Sequence, residues 1–289
     1  MATITMFLMG EKGLKTLSNV AKFKSIIKLV VGARDKNVLN DYYDDIKSLC
    51  EANNIPHCDK KDFVKVESEY SIAIAWRWML PTDNKLIILH DSLLPKYRGF
   101  APLVNMLINR EPQIGVTAFF ANGEFDRGDI IMQKGMDVSY PIKIHDAINL
   151  VSTLFESMVE KIFEEVRDGR EFAVSPNSDE EATYSLWRNE DDYVIDWHRD
   201  AEYIQQFVYS VGYPYKGAST MFEGVKYRVL DCEIEEDVKV ESRCPGKLLF
   251  MRDGCPVIVC GKGMLKITKL ESDEGVSCLP MKKYRVWFK

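Results

Sequence analysis

The first half of the chain sets short apolar runs against stretches with helical spacing, and few folds accept that alternation. Residues 3–9 read as a strand stopped by Gly10 and Gly13, a helix follows at 17–23, and a second strand runs over 26–31. Tyr42, Ile46 and Leu49 share one helical face across 41–52, ended by Asn53-Asn54. Residues 71–75, 85–89 and 115–120 are further buried strands, and 144–166 carries the longest helical repeat. Strands alternating with helices predict an α/β fold, a Rossmann-like, mostly parallel sheet with crossover helices. Beyond the polar stretch 175–179 the pattern changes. One helix at 201–211 is followed by short strands at 226–230, 247–250, 257–259 and 264–270, with turns at Asp253-Gly254 and Gly261-Lys262-Gly263. That spacing predicts a small β-rich, OB-like module. The 289 residues have room for about two domains, expected at 1–178 and 179–289.

Composition narrows the partners. No apolar run approaches the ~20 residues of a membrane span, and the start of the chain lacks the charged region and cleavage site of a signal peptide, so no membrane partner is expected. The seven cysteines are odd in number, form no C-x-x-C pair and have no histidine cluster beside them. Reduced thiols in a cytoplasmic protein with no metal site are therefore expected. Net charge is −6, and Lys282-Lys283 with Arg285 is the one dense positive cluster. Phosphate neutralisation supplies most of the affinity for tRNA or DNA, so nucleic acid is disfavoured as a partner.

Ligands of open parallel sheets sit outside the carboxyl ends of the strands. Of the four histidines, His57 and His145 read as surface residues and His198, after Trp197, as structural. His90 closes an apolar strand and leads into an irregular run, the position of either an active-site residue or a simple strand cap. Asp126, in the turn Phe125-Asp126-Arg127-Gly128-Asp129, is either a backbone cap or, if it reaches His90, the partner that orients a general base.

Together, His90 through Pro102 (HDSLLPKYRGFAP), Gly115-Val116-Thr117 and Asp126 through Ile131 (DRGDII) resemble the N10-formyltetrahydrofolate-dependent formyltransferase family. Residues 186–197 and 214–218 resemble that family's carboxyl-terminal module. Within the family the chain is most similar to sugar N-formyltransferases acting on nucleotide-linked amino sugars. The resemblance implies direct attack of a primary amine on the formyl group of N10-formyltetrahydrofolate, without metal, with His90 and Asp126 in the catalytic roles. The family's asparagine, two residues before the histidine, is here Ile88. Asn122 could supply the missing donor; otherwise the enzyme is slow, or the site binds folate without turnover. Trp78, Met79, Leu80 and Pro81 match the loop that holds the pterin through its backbone. Asn122, Gly123 and Glu124 match the loop facing it. Trp76 either flanks the cofactor or belongs to the core. Lys12, Tyr97 and Arg98 are candidate substrate contacts.

The implied partner is a nucleotide-linked amino sugar, by analogy a dTDP-4-amino-4,6-dideoxyhexose used in O-antigen and lipopolysaccharide biosynthesis, and the implied assembly is a homodimer. Methionyl-tRNA formyltransferase shares both modules and is the alternative. Its basic tRNA-gripping loop corresponds to residues 32–45, which are acidic in this chain.

Overall fold

Every strand of the first sheet but one points its carboxyl end or its turn toward a common rim. In a computed structural model that describes residues 2–80 and 84–289, β1 (Ile4–Leu8), β2 (Ile27–Gly32), β3 (His57–Asp59), β4 (Tyr70–Ile74) and β5 (Lys85–His90) run parallel. A two-residue strand, β6 (Arg98–Gly99), leaves the sheet, and β7 (Gln113–Phe120) and β8 (Ile130–Asp137) complete it antiparallel. The order β3-β2-β1-β4-β5-β7-β8 reverses between β1 and β4. Such a reversal opens a crevice at the strand ends, where open α/β sheets bind ligands. β1 and β4 are buried along their whole length, as a strand covered on both faces must be.

Helix α1 (Gly10–Val20) starts earlier than its spacing suggests. Gly10, at φ +64°, turns the chain straight from strand into helix. Gly13 is no breaker: a Cβ there would lie 3.1 Å from the Leu8 Cβ, so its missing side chain lets α1 press onto β1. After α2 (Tyr43–Asn53) and α3 (Pro102–Ile108), α4 (Ile144–Asp168) buries Val151, Phe155, Met158, Ile162 and Val166 at helical spacing. It lies beside α1, with Asn19 Nδ2 donating to the Glu156 carbonyl at 3.0 Å. On the sheet's other face, Phe7, Val31, Ala73 and Leu86 form a core with Phe63, Trp76, Leu80 and Ile88 packed on it.

The chain divides into two units, the first 1–103, 112–138 and 147–187, the second 104–111, 139–146 and 188–289. The first unit ends with a short strand, β9 (Tyr184–Ser185), that pairs with β6, and the second unit has α5 (Ala201–Ser210) and five antiparallel strands. These are β10 (Ala218–Phe222), β11 (Val225–Glu235), β12 (Leu248–Arg252), β13 (Cys255–Val259) and β14 (Met264–Ser272), in the order β10-β11-β14-β13-β12. Residues 286–289 bond β10 through Met221 (2.8 and 2.9 Å) and the other edge through Gly246 and Leu248 (2.9 and 3.0 Å), which closes the sheet on itself.

All seven cysteines are free thiols. Among the described residues no helix is long and apolar enough to cross a membrane, and no group of three His, Cys, Asp or Glu is placed to hold a metal. Three histidines differ from their sequence reading, among them His145, which is half-buried with its ring 5.2 Å from that of Tyr213. His57 lies half-buried in β3, its ring 5.7 Å from that of Tyr43, because the short polar run that contains it pairs with β2. His198 projects into solvent with its side chain 80% exposed.

Candidate active site

β5 delivers His90 to the rim at 8% exposure, opposite Thr117 of β7. Its Nε2 lies 2.8 Å from the Tyr97 carbonyl. A carbonyl only accepts, so Nε2 carries the proton, and in the neutral ring Nδ1 is left with its lone pair. That Nδ1 faces Asp126 Oδ2 at 3.6 Å. The structure thus brings together the two residues singled out for chemistry, from segments 36 positions apart.

Asp126 is held in a turn that few residues adopt. Its φ is +52°, a left-handed conformation that aspartate tolerates better than most side chains. The Gly99 N–H donates to its Oδ2 at 2.7 Å, and Asn177 Nδ2 donates to its carbonyl at 2.8 Å. Two residues on, any side chain would be fatal: a Cβ at Gly128 would stand 1.5 Å from the Phe120 carbonyl oxygen.

The run after His90 is pinned from below. Thr117 Oγ1 donates to the Ser92 carbonyl at 2.7 Å and accepts from the Leu94 N–H at 3.0 Å and Gln133 Nε2 at 2.8 Å. Gln133 Nε2 also donates to the Leu94 carbonyl at 2.7 Å. Thr117 stood inside a recognised motif, but Gln133 carried no sequence signal, because its role depends on β8 lying antiparallel to β7.

Other expected positions fall differently. Arg98 is corrected: it is fully buried, and its guanidinium bonds Asn177, Ser178 and Asp179, so it holds the scaffold instead of facing a substrate. Tyr97, at φ +59°, contributes through its backbone, with its N–H to Thr183 Oγ1 at 2.9 Å and its carbonyl to His90. Lys12 lies at the β1–β4 reversal, paired with Asp91 beside His90, its ammonium 5.6 Å from the Phe155 ring centre.

The two loops matched to the cofactor flank the rim. Trp78 and Met79 are exposed and Leu80 is half-buried against the core, while Pro81 lies outside the described residues. Lys60 Nζ stands 3.6 Å above the Trp78 ring. Asn122 Oδ1 accepts from the Glu124 N–H at 3.1 Å, Gly123 has φ +87° with nothing within 4 Å of a would-be Cβ, and Glu124 pairs with Arg127 at 3.1 Å. Trp76 Nε1 is buried with no hydrogen-bond partner among the described residues. An unpaired donor beside the apolar wall of Phe7, Phe63, Leu80 and Ile88 suits a flat heterocycle with acceptor edges, so these residues fit a folate. Ile88, also packed on Leu94, Phe119 and Ile130, offers no donor.

Comparison with known proteins bears on family and fold. The model for formyl transferase matches residues 64–156, and that for formyl transferase, C-terminal domain, matches 189–281. A methionyl-tRNA formyltransferase of Carboxydothermus hydrogenoformans is 25% identical over 222 residues, 74% of this chain and 70% of that protein. Among solved structures, HypX from Aquifex aeolicus aligns over 94% of this chain at a TM-score of 0.65 and 20% identity, and this chain spans 46% of HypX. WlaRD, a sugar 3N-formyl transferase solved in the presence of dTDP and 5-N-formyl-THF, aligns over 93% of this chain and 99% of its own, at a TM-score of 0.69 and 15% identity.

Proposed function

This chain belongs to the formyl transferase family, and from that premise we propose that the amine it formylates is carried by a nucleotide-linked amino-dideoxysugar, in the cytoplasm and as a homodimer. The formyl donor is N10-formyltetrahydrofolate, which supplies an electrophilic formyl carbon when bound. The chain's own groups manage the proton. Tyr97 holds the Nε2 proton, so Nδ1 is the atom that takes a proton from the attacking amine and would return it to the folate N10 as the bond between N10 and the formyl carbon breaks. Asp126, 3.6 Å away, then faces an imidazolium and stabilises it. Lys12, at the strand-end crevice, is placed to exchange its Asp91 partner for a diphosphate.

The observation that carries the choice of acceptor is the charge of the rim around residues 32–45. Arg34 is gripped by Asp44 through two bonds of 2.8 and 2.6 Å, and Arg77 by Asp35 at 2.5 Å. Both arginines of this rim are thus already paired with carboxylates, on a chain of net charge −6. Fold similarity to a sugar 3N-formyl transferase along nearly the whole chain supports the same reading. The names of the curated relatives favour methionyl-tRNA as a second acceptor, and the apolar Ile88 favours a folate-binding protein without turnover.

One assay separates the three. Purified protein is given N10-formyltetrahydrofolate with dTDP-4-amino- and dTDP-3-amino-dideoxysugars and charged initiator tRNA, and products are read by mass spectrometry. A formylated sugar nucleotide is expected, with His90→Asn and Asp126→Asn each losing at least about 10²-fold in kcat. Formylmethionyl-tRNA alone would overturn the sugar reading, and bound folate with no product would leave a binding protein.

A further inference from the structure

The site contains a closed circuit of contacts that reaches outside the motifs. Arg98 sits between the two backbone groups that hold the reacting pair. On one side the Tyr97 carbonyl takes the His90 Nε2 proton (2.8 Å), and on the other the Gly99 N–H bonds Asp126 Oδ2 (2.7 Å). The Arg98 side chain, fully buried, turns away from both. Its Nη2 donates to Asn177 Oδ1 at 2.8 Å and to the carbonyls of Asn177 and Ser178 at 3.2 and 3.1 Å, and its Nη1 to Asp179 at 2.5 Å. Asn177 closes the loop, since its Nδ2 donates to the carbonyls of Asp126 (2.8 Å) and Gly128 (3.3 Å).

The backbone between these anchors is one that side-chain-bearing residues resist. Tyr97 and Asp126 have φ of +59° and +52°, and Gly99 lies at +100°, where a Cβ would sit 2.6 Å from the Ser185 carbonyl. Conformations of this kind persist only where surrounding contacts fix them. A carboxamide is the side chain that meets both demands at residue 177, an acceptor for a guanidinium and, on the same plane, donors for two carbonyls.

Resting on the assignment of His90 and Asp126 as the reacting pair, we propose that Asn177 is a positioning residue for formyl transfer. It sets the distance of Asp126 from His90, with buried Arg98 as its anchor. Residues 175–179 are then part of the active-site framework and not a spacer between modules. Ser175, which exchanges two 2.8 Å backbone bonds with Ile130, ties the same segment to the far end of the turn.

Asn177→Asp and Asn177→Ala in the full chain test this. Asn177→Asp keeps an acceptor for Arg98 and loses the donor to Asp126, so a purely structural anchor survives it; should Asn177→Ala fail to fold, Asn177→Asp carries the test. Both are expected to lower kcat about 10²-fold, the effect of a displacement near 1 Å, with KM for acceptor and donor unchanged within about twofold. The second readout needs no reaction. The Gly99 amide proton, bonded to a carboxylate in the wild type, is expected to move upfield in the NMR spectrum of each variant as Asp126 withdraws. Wild-type kcat in Asn177→Asp, a rise in KM at constant kcat, or an unmoved Gly99 resonance would each overturn the proposal. If the wild type formylates no acceptor, the functional reading fails, and the Gly99 resonance still decides the role of Asn177.

Discussion

Ile88 and His90 share a face of β5, since strand side chains alternate, and the pair measures what this site lacks. Ile88 packs against Leu94, Phe119 and Ile130, so Ile88→Asn exchanges apolar contact for a carboxamide that is only partly satisfied, at about 1–3 kcal/mol. In return it sets a donor two residues before His90, and such a donor at a developing oxyanion is worth roughly 10²–10³ in rate. We expect Ile88→Asn to raise single-turnover formyl transfer and to lower the thermal midpoint. An unchanged rate with the lower midpoint would mean that the His90 imidazolium or a backbone N–H already does that work. The approach of Asp126 to His90 was legible only through the motifs that hold them: β7 runs antiparallel to β5 and leaves the chain beside Leu86, near the start of β5, so the turn that carries Asp126 has to fold back along the sheet to reach His90. The role of Arg98 was not legible. A loop arginine reads as solvent-facing, and nothing in one dimension says that its guanidinium folds back 79 positions onto Asn177. Asn177 itself sits in a polar stretch that resembles any connection.

At the scale of elements, strands buried on both faces announced themselves, and half-exposed ones did not. β1 and β4 are buried throughout and mostly apolar, whereas β8, with Gln133 and Lys134 at its centre, and the three-residue β3 have no pattern to read. β3 nevertheless bears on stability through His57. Burial, then the nearby Lys47, pushes the His57 imidazole below its ordinary value of 6.5, against the opposing pull of Asp59 and Glu51. Above that value the ring is neutral whether the chain is folded or not. As pH falls below it, the unfolded chain binds a proton that the folded one refuses, so stability drops until the folded-state value is passed. The thermal midpoint should therefore fall between about pH 7 and 5, and His57→Gln should flatten that decline. The neighbouring Asp59 and Asp44 carboxyls, lowered mainly by the Lys61 N–H and by Arg34 respectively, lose their contributions only at more acidic pH. An equal decline in wild type and His57→Gln would remove His57 as its source.

For the whole molecule the decisive quantity is how many phosphates it can neutralise. Affinity for a nucleic acid backbone falls with salt at a log–log slope near −0.7 to −0.9 per phosphate contact, so a protein gripping an acceptor stem through six or more contacts has a slope of about −4 or steeper. Here Arg34 and Arg77 are spent on Asp44 and Asp35, Lys12 on Asp91, and Arg127 on Glu124 and Asp179. An acceptor with a single diphosphate asks for only one or two of these groups to change partner. The kcat/KM for the acceptor, measured from about 50 to 300 mM salt, should then fall with a log–log slope no steeper than about −2. Asp91→Asn, which releases Lys12 from its internal partner, should lower the KM for a sugar nucleotide and steepen that slope slightly. A wild-type slope of −4 or beyond would point to a polyanionic acceptor, and an Asp91→Asn KM equal to that of the wild type would take Lys12 out of the diphosphate site.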